Sequence, residues 1–401
     1  MKDDVSHDAV ILSAVRTPVG KYGGKLSSVR PDDLAALVIT EAVRRAGMEP
    51  AMVDDVIMGC SNQAGEDNRN VARMAVLLAG FPHTVPGVTV NRLCGSGLEA
   101  INMAARSILT GEARIIVAGG VESMTRAPLV TLKPEKGFPR GGMKLVDTTI
   151  GWRFVNPKWP VNYPTYEMGE TAENLAEKYK ISREKQDEFA LMSHRKAIEA
   201  TDSGRFKDEI VPVRLDSELV NEDEGPRRNT SFEKLSSLQP VFRKGGTVTA
   251  GNSSQISDGA SALVLSSREV ADSLGLEPIA KYVASSNVGV DPSYMGIGPV
   301  PATRKLLERT GLNMSDFGVV ELNEAFAAQV LACFTEMPEF ERSRLNPNGG
   351  AIALGHPIGC SGARIATTLI HEMNRSHSKY GLATMCIGVG QGISTAFELV
   401  R

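Results

Sequence analysis

Cys94 follows a β-type run and precedes Gly95-Ser96-Gly97, which lead into the helical pattern Leu98-Glu99-Ala100-Ile101-Asn102-Met103-Ala104. A thiol at a strand-turn-helix junction faces the helix's unpaired N–H groups and positive dipole end, and this predicts a lowered pKa and a nucleophile. The same glycines would also serve tight helix packing. His356 lies in Gly355-His356-Pro357-Ile358-Gly359, downstream of Asn346-Pro347-Asn348-Gly349-Gly350, a rigid irregular loop. An imidazole with a pKa near neutrality suits a general base there, so Cys94 and His356 read as a nucleophile-base pair. Cys386 opens Cys386-Ile387-Gly388-Val389-Gly390-Gln391-Gly392. A dinucleotide loop is excluded, because no suitable helix follows and the ribose-binding acid is missing at its offset. A thiol beside exposed backbone N–H groups fits a second acid/base and an oxyanion hole. Asn323 in Asn323-Glu324-Ala325-Phe326 ends a strand, where it either orients water or an oxyanion, or caps a helix.

Positioning these residues requires α/β architecture. Short β-branched runs alternate with helical patterns bounded by Gly and Pro, which predicts a largely buried parallel sheet. Val10–Val15 and Val53–Met58 read as strands, with a helix from Pro31 to Gly47 between them. The order returns later: a helix from Pro301 stopping at Gly311, a strand over Val319–Asn323, and a helix after Gly359-Cys360-Ser361-Gly362. We read an internal duplication. Between the halves, roughly Glu122 to Gly246, lies a Pro-, Gly- and charge-rich stretch with one strong helical pattern from Glu170 through Ala200, an arrangement suited to a substrate lid.

The 401 residues are 42% hydrophobic and 23% charged, with a formal charge of −3, which fits a globular enzyme without a strong field for nucleic acid or an anionic membrane. The acidic start lacks a signal peptide's pattern and no run approaches ~20 apolar residues, so a cytoplasmic protein is expected. Five scattered cysteines without a CxxC pair argue against disulfides or a zinc site. Cys60, Cys333 and Cys360 read as small buried hydrophobes.

Taken in order, Asn91-Arg92-Leu93-Cys94-Gly95-Ser96-Gly97, Asn323-Glu324-Ala325-Phe326, Gly355-His356-Pro357-Ile358-Gly359 and Cys386-Ile387-Gly388 resemble the thiolase family. Arg16-Thr17-Pro18-Val19-Gly20 and Thr249-Ala250-Gly251-Asn252-Ser253-Ser254 add to the likeness, which runs over essentially the whole chain. The resemblance implies duplicated mixed-sheet halves in a five-layered αβαβα core, with residues 1–121 (completed by part of 247–275) and 276–401 as the halves. Residues 122–246 would form a loop domain over the CoA site. It further implies that His356 activates Cys94, that Cys386 moves the α-carbon proton, and that the N–H groups of Cys94 and Gly388 form one oxyanion hole. His356 with an Asn323-held water would form the other. Ser254, Met168, Ala325 and Phe326 would contact CoA, with Arg227 at its nucleotide end. CoA is then a substrate and no cofactor or metal is implied; the family likeness also implies a homodimer or homotetramer.

Related ketoacyl synthases use two active-site histidines where this chain has Asn323 and Cys386, which disfavours decarboxylative condensation. A non-catalytic thiolase-like lipid carrier would lack part of the catalytic set, whereas all four segments are intact here. A cysteine hydrolase would release free acid rather than acyl-CoA. The short-chain biosynthetic enzymes commonly carry His where this chain has Glu167. The expected substrates are therefore acetoacetyl-CoA and longer unbranched 3-ketoacyl-CoAs, as in β-oxidation. 3-Oxoadipyl-CoA ranks next, because residues 147–157 look like those of degradative thiolases, with Arg153 or Lys158 as a partner for a substrate carboxylate.

Overall fold

A computed structural model describes residues 8–138, 140–216 and 218–400. Nine strands matter here: β1 (Ala9–Arg16), β2 (Asp55–Gly59), β3 (Gly87–Val90), β4 (Ile115–Ser123), β5 (Ser257–Ser267), β6 (Ala280–Gly289), β7 (Phe317–Leu322), β8 (Tyr380–Ile387) and β9 (Gln391–Leu399). The longer helices are α1 (Pro31–Arg45), α2 (Val71–Leu78), α3 (Ser96–Leu109), α4 (Met168–Lys178), α5 (Arg183–Asp202), α6 (Pro299–Thr310), α7 (Ala327–Glu336) and α8 (Ile358–Ser376). With the two-residue strand Gly20–Lys21, the nine form one sheet in the order β7-β8-β9-β6-β1-β5-β4-β2-β3. The two halves meet edge to edge through just two residue pairs, Val10 with Lys281 and Ile11 with Ala280.

Both halves have the same spatial order, β1-β5-β4-β2 in one and β6-β9-β8-β7 in the other. The first half adds β3, and the second has an isolated parallel bridge from Val320 to Leu345 at that place. The duplication read from sequence is therefore present in the topology. The sheet is mixed rather than parallel: β2–β3, β2–β4 and β7–β8 are parallel, and the other long pairings are antiparallel. β4 reaches β5, and β8 reaches β9, from the opposite direction, so the run of parallel crossovers stops there.

Alternation along the strands sorts their side chains into layers. Val10, Leu12 and Val15 of β1 pack with α1 and α2, whereas Ala9, Ile11 and Ala14 face α3 and α8. On β8, Ala383 and Met385 join that inner layer while Leu382 packs outward with α6 and α7. The outcome is helix, sheet, helix, sheet, helix, with α3 and α8 sandwiched between the halves.

The helical pattern over residues 170–200 is two helices, not one. Lys180 adopts φ +53° between α4 and α5, and the Ser182 side chain accepts from Lys185 N to start the second. The strand expected from Val53 starts at Asp55, since Pro50–Met52 form a 3-10 turn closed by Val53 N to Pro50 O. The inserted stretch is clamped to the core by Arg16, which is 1% exposed and bonds Glu209 at 2.5 Å and Asp223 at 2.7 and 2.9 Å. No helix among the described residues is long and apolar enough to cross a membrane.

Candidate active site

The turn before α3 holds Cys94 in a strained, heavily braced loop. Leu93 has φ +47°, a left-handed conformation that costs a residue with a Cβ roughly 1–2 kcal/mol. Asn91 Oδ1 accepts from Leu93 N (2.9 Å), Ser96 Oγ donates to Leu93 O (2.6 Å), and Arg92 N donates to Ser96 Oγ (2.9 Å). Asn91 Nδ2 ties the loop to Ser61 O at 2.9 Å. These bonds hold the peptide that carries Cys94 just beyond the end of β3.

The expected depression of the Cys94 pKa is not found. Burial pushes the thiol up, and the N–H groups of Gly388 and of Cys94 itself only partly offset this. The helix end is too weak a field to overcome desolvation of the half-buried sulfur. Cys94 is therefore a thiol at rest and needs a base. Cys386, near the end of β8, is 1% exposed and close enough to feel the Cys94 sulfur. Burial, then the charges of Cys94 and Cys333, push it well above the ordinary thiol range. Gly388 is open: a methyl placed on it would lie 3.5 Å from both Leu93 Cδ1 and Met168 Sδ.

His356 sits in the equivalent turn before α8. Its Nδ1 lies 2.6 Å from Ser361 Oγ, whose hydroxyl donates to Pro357 O at 2.8 Å. Ser361 therefore accepts from Nδ1–H, and Nε2 is left as the free base, facing Asn323 Nδ2 at 3.5 Å. Burial, helped by Arg364, lowers the His356 pKa to about 4. Asn323 follows β7 directly, and α7 begins only at Ala327 with Phe326 at its N-cap, so Asn323 does not cap a helix. Its Oδ1 is buried without a partner among the described residues.

Two features join these loops, the first of which sequence reasoning missed. Glu122, 3% exposed, accepts from Ser61 N and Oγ, Asn62 N and Gly359 N, and so ties the β2 exit and the β4 end to the start of α8. The first turns of α3 and α8 also touch: a Cβ on Gly97 would fall 2.7 Å from Ala363 N, and one on Gly120 would fall 2.1 Å from Gly359 O. The packing reading of the glycines after Cys94 holds, and this close packing is what brings the two turns to one place. Ser361 was also missed; it lies five residues beyond His356, one turn into the helix, where a hydroxyl can reach back.

The residues expected around CoA divide. Met168, Ala325 and Phe326 pack in one cluster with Cys386. Ser254 joins them through its N–H, which donates to Ala325 O at 2.9 Å. Arg227 is exposed, and its backbone N–H donates to the buried His194 Nδ1 at 3.1 Å; no described contact links its guanidinium to the cluster. Glu167 is the N-cap of α4 in a capping box with Glu170, a structural duty that explains it without reference to substrate. Cys60, Cys333 and Cys360 are buried.

The thiolase N-terminal domain family matches residues 9–269, and the thiolase C-terminal domain family matches residues 276–399. The chain is 53% identical over 401 residues, covering 98% of it and 100% of the relative, to the 3-oxoadipyl-CoA/3-oxo-5,6-dehydrosuberyl-CoA thiolase of Escherichia coli. It is also 53% identical over 402 residues, covering 99% of it and 100% of the relative, to the beta-ketoadipyl-CoA thiolase of Pseudomonas aeruginosa. Among solved structures, the Bacillus anthracis acetyl-CoA acetyltransferase superposes with a TM-score of 0.92 at 45% identity, covering 98% of this chain and 99% of that one. The chain belongs to the thiolase family. It is an acyltransferase, a thiolase of 3-ketoacyl-CoA chemistry.

Proposed function

We propose that this thiolase cleaves 3-ketoacyl-CoA through an acyl-Cys94 intermediate and that its preferred substrate is 3-oxoadipyl-CoA. The observation that carries the mechanism is the meeting of three turns: His356, with Nδ1 held by Ser361 and Nε2 free, precedes the helix that packs on Gly97, and the buried Cys386 precedes Ile387, which packs on Gly95 beside Cys94. His356 Nε2 takes the Cys94 proton as sulfur attacks the substrate's C3 carbonyl. The C2–C3 bond then breaks, its electron pair forms the acetyl-CoA enolate, and Cys386 protonates the α-carbon. CoA thiol, deprotonated in turn, attacks the acyl-Cys94 thioester and leaves as the shortened acyl-CoA. The reverse sequence is the Claisen condensation. The N–H groups of Cys94 and Gly388, which already face the Cys94 sulfur, serve the acyl oxyanion. His356 and a water held by Asn323, whose Oδ1 has no partner among the described residues, serve the enolate oxygen.

Residues 122–246 form the proposed loop domain, with Met168, Ala325, Phe326 and Ser254 along the CoA path and Arg227 at its nucleotide end. CoA is a substrate, and no resident cofactor or metal takes part. The relatives' names favour the six-carbon dicarboxylic substrate over the fatty 3-ketoacyl series that the sequence put first. A homodimer or homotetramer working in the cytoplasm fits the exposed edge strand β3, with Val88, Leu77 and Leu78 uncovered beside it. Sedimentation at two concentrations checks the assembly, and a monomer at micromolar concentration contradicts it. The substrate test is kcat/KM over a chain-length series that includes 3-oxoadipyl-CoA. A higher value for acetoacetyl-CoA than for 3-oxoadipyl-CoA overturns the preference.

A further inference from the structure

Trp152, Phe154, Met143 and Leu132 wall a surface cleft of about 420 Å³ that Arg153 and Lys144 also line. No carboxylate among the described residues lines it with them. Two cations with apolar walls and no counter-charge make a site shaped for an anion carried on a methylene chain. Arg153 is exposed, and its guanidinium meets one partner among the described residues, the Thr148 carbonyl at 3.4 Å, leaving its other N–H groups available. Lys158 does not line this cleft, so of the two cations named from sequence only Arg153 is placed there.

Two tethers join the cleft to the reacting centre. Trp152 Nε1 donates to Tyr166 O at 2.9 Å, two residues before Met168, whose sulfur lies beside Gly388. On the other side, Asn62 Nδ2 donates to Thr148 O and Oγ1 at 3.2 and 2.9 Å, and the preceding Ser61 carbonyl accepts from Asn91 of the Cys94 turn. The Arg153 segment is thus held on one side by the stretch leading to Met168 and on the other by the residues that brace the Cys94 turn. In a six-carbon dicarboxylic substrate the free carboxylate lies three carbon–carbon bonds beyond the attacked carbon, about 4 Å away, so its partner must be a long side chain rooted close by.

We propose that Arg153, with Lys144 beside it, binds the distal carboxylate of a dicarboxylic 3-ketoacyl-CoA and sets the preference for such substrates over uncharged chains of equal length. This rests on the dicarboxylic reading above. The planar guanidinium can grip the carboxylate bidentately, with Trp152 and Phe154 shielding the methylenes. CoA phosphates are the other anions at hand, and the test separates them.

The experiment measures kcat/KM for thiolysis of 3-oxoadipyl-CoA and of 3-oxohexanoyl-CoA, which has the same six carbons but a methyl end, using full-length wild type, Arg153→Gln and Arg153→Lys. Arg153→Gln lowers the value for 3-oxoadipyl-CoA about 10- to 100-fold and leaves 3-oxohexanoyl-CoA within about threefold, with Arg153→Lys recovering part of the loss. The unaffected methyl-ended substrate also reports that the variant is folded. Equal losses on both substrates would mean that Arg153 holds a CoA phosphate or the fold of its loop, and would overturn the proposal. So would no loss on either. A wild type that does not favour 3-oxoadipyl-CoA over 3-oxohexanoyl-CoA sinks the dicarboxylic reading and this assignment with it. A wild type that does favour it, alongside an indifferent Arg153→Gln, sinks this assignment alone.

Discussion

The turns before α3 and α8 occupy matching places in the two halves, yet they treat their reactive residues differently. Cys94 and His356 each sit two residues ahead of the helix, at Ser96 and Ile358. The first turn grips the backbone through Asn91, Ser96 and the strained Leu93, and leaves the thiol partly open. The second is buried and grips the side chain itself, through Ser361 on Nδ1. Burial drives both groups toward their neutral forms, the thiol up and the imidazole down to about 4. One geometry thus yields a half-buried thiol in one half and an imidazole of fixed tautomer in the other, both neutral.

The sharpest way to break this contrast is to remove the sulfur. Cys94→Ala should abolish acyl-enzyme formation and lower turnover by about 10⁴-fold or more. Mass spectrometry after brief exposure to acetoacetyl-CoA reads it directly, and an adduct on Cys386 instead of Cys94 in the wild type would reverse the assignment. Cys386→Ala should slow carbon–carbon cleavage by about 10²- to 10⁴-fold while acetyl loading from acetyl-CoA stays measurable. Loss of loading with normal cleavage would exchange the two thiols' roles.

Ser361→Ala tests whether the second turn acts through its side chain. It should lower kcat about 10-fold, in the range seen when an orienting partner of a histidine is lost, and change the acid limb of the pH profile. A variant with reduced thermal stability but an unmoved pH profile would give Ser361 a structural role only. Gly97→Ala tests the contact between the turns. Its new Cβ would meet backbone at 2.7 Å, and overpacking of this kind costs roughly 1–3 kcal/mol, visible as a lower Tm together with lower activity.

A pH series probes the buried imidazoles with a smaller effect. His356 and His194 are both held down to about 4 in the folded chain, against 6.5 when unfolded. Between those values the unfolded state binds more protons, so their contribution to stability is present above pH 6.5 and is lost as pH falls toward 4. Urea midpoints measured across that window should decline, and His356→Asn should flatten part of the slope. An unchanged slope would mean that His356 is not the group titrating.

Much of this is legible in the amino-acid sequence, because glycine and proline spacing around Cys94, His356 and Cys386 reflects backbone constraints that a sequence records locally. The matching strand-helix order likewise exposes the duplication. Hidden are effects that depend on what surrounds a residue in space. The helix-end argument for Cys94 has the right sign for one contribution and cannot weigh it against burial. Glu122 looks like any acid at a strand end, since its partners come from residues 61, 62 and 359. The pattern over residues 170–200 keeps helical periodicity through Lys180, so only the backbone angle reveals the break.

The edgewise join of the halves, with α3 and α8 pressed between their faces, also has an ancestral meaning. Two identical copies of one half, associated about a twofold axis, must present the same residue from each copy wherever the axis passes. Gly97 and Gly362, each pressed against the first turn of the other half's helix, still form such a matched pair. Joining the copies in one polypeptide removes that obligation, so the residues a few places before each glycine are free to differ, Cys94 against Gly359 and Asn91 against His356.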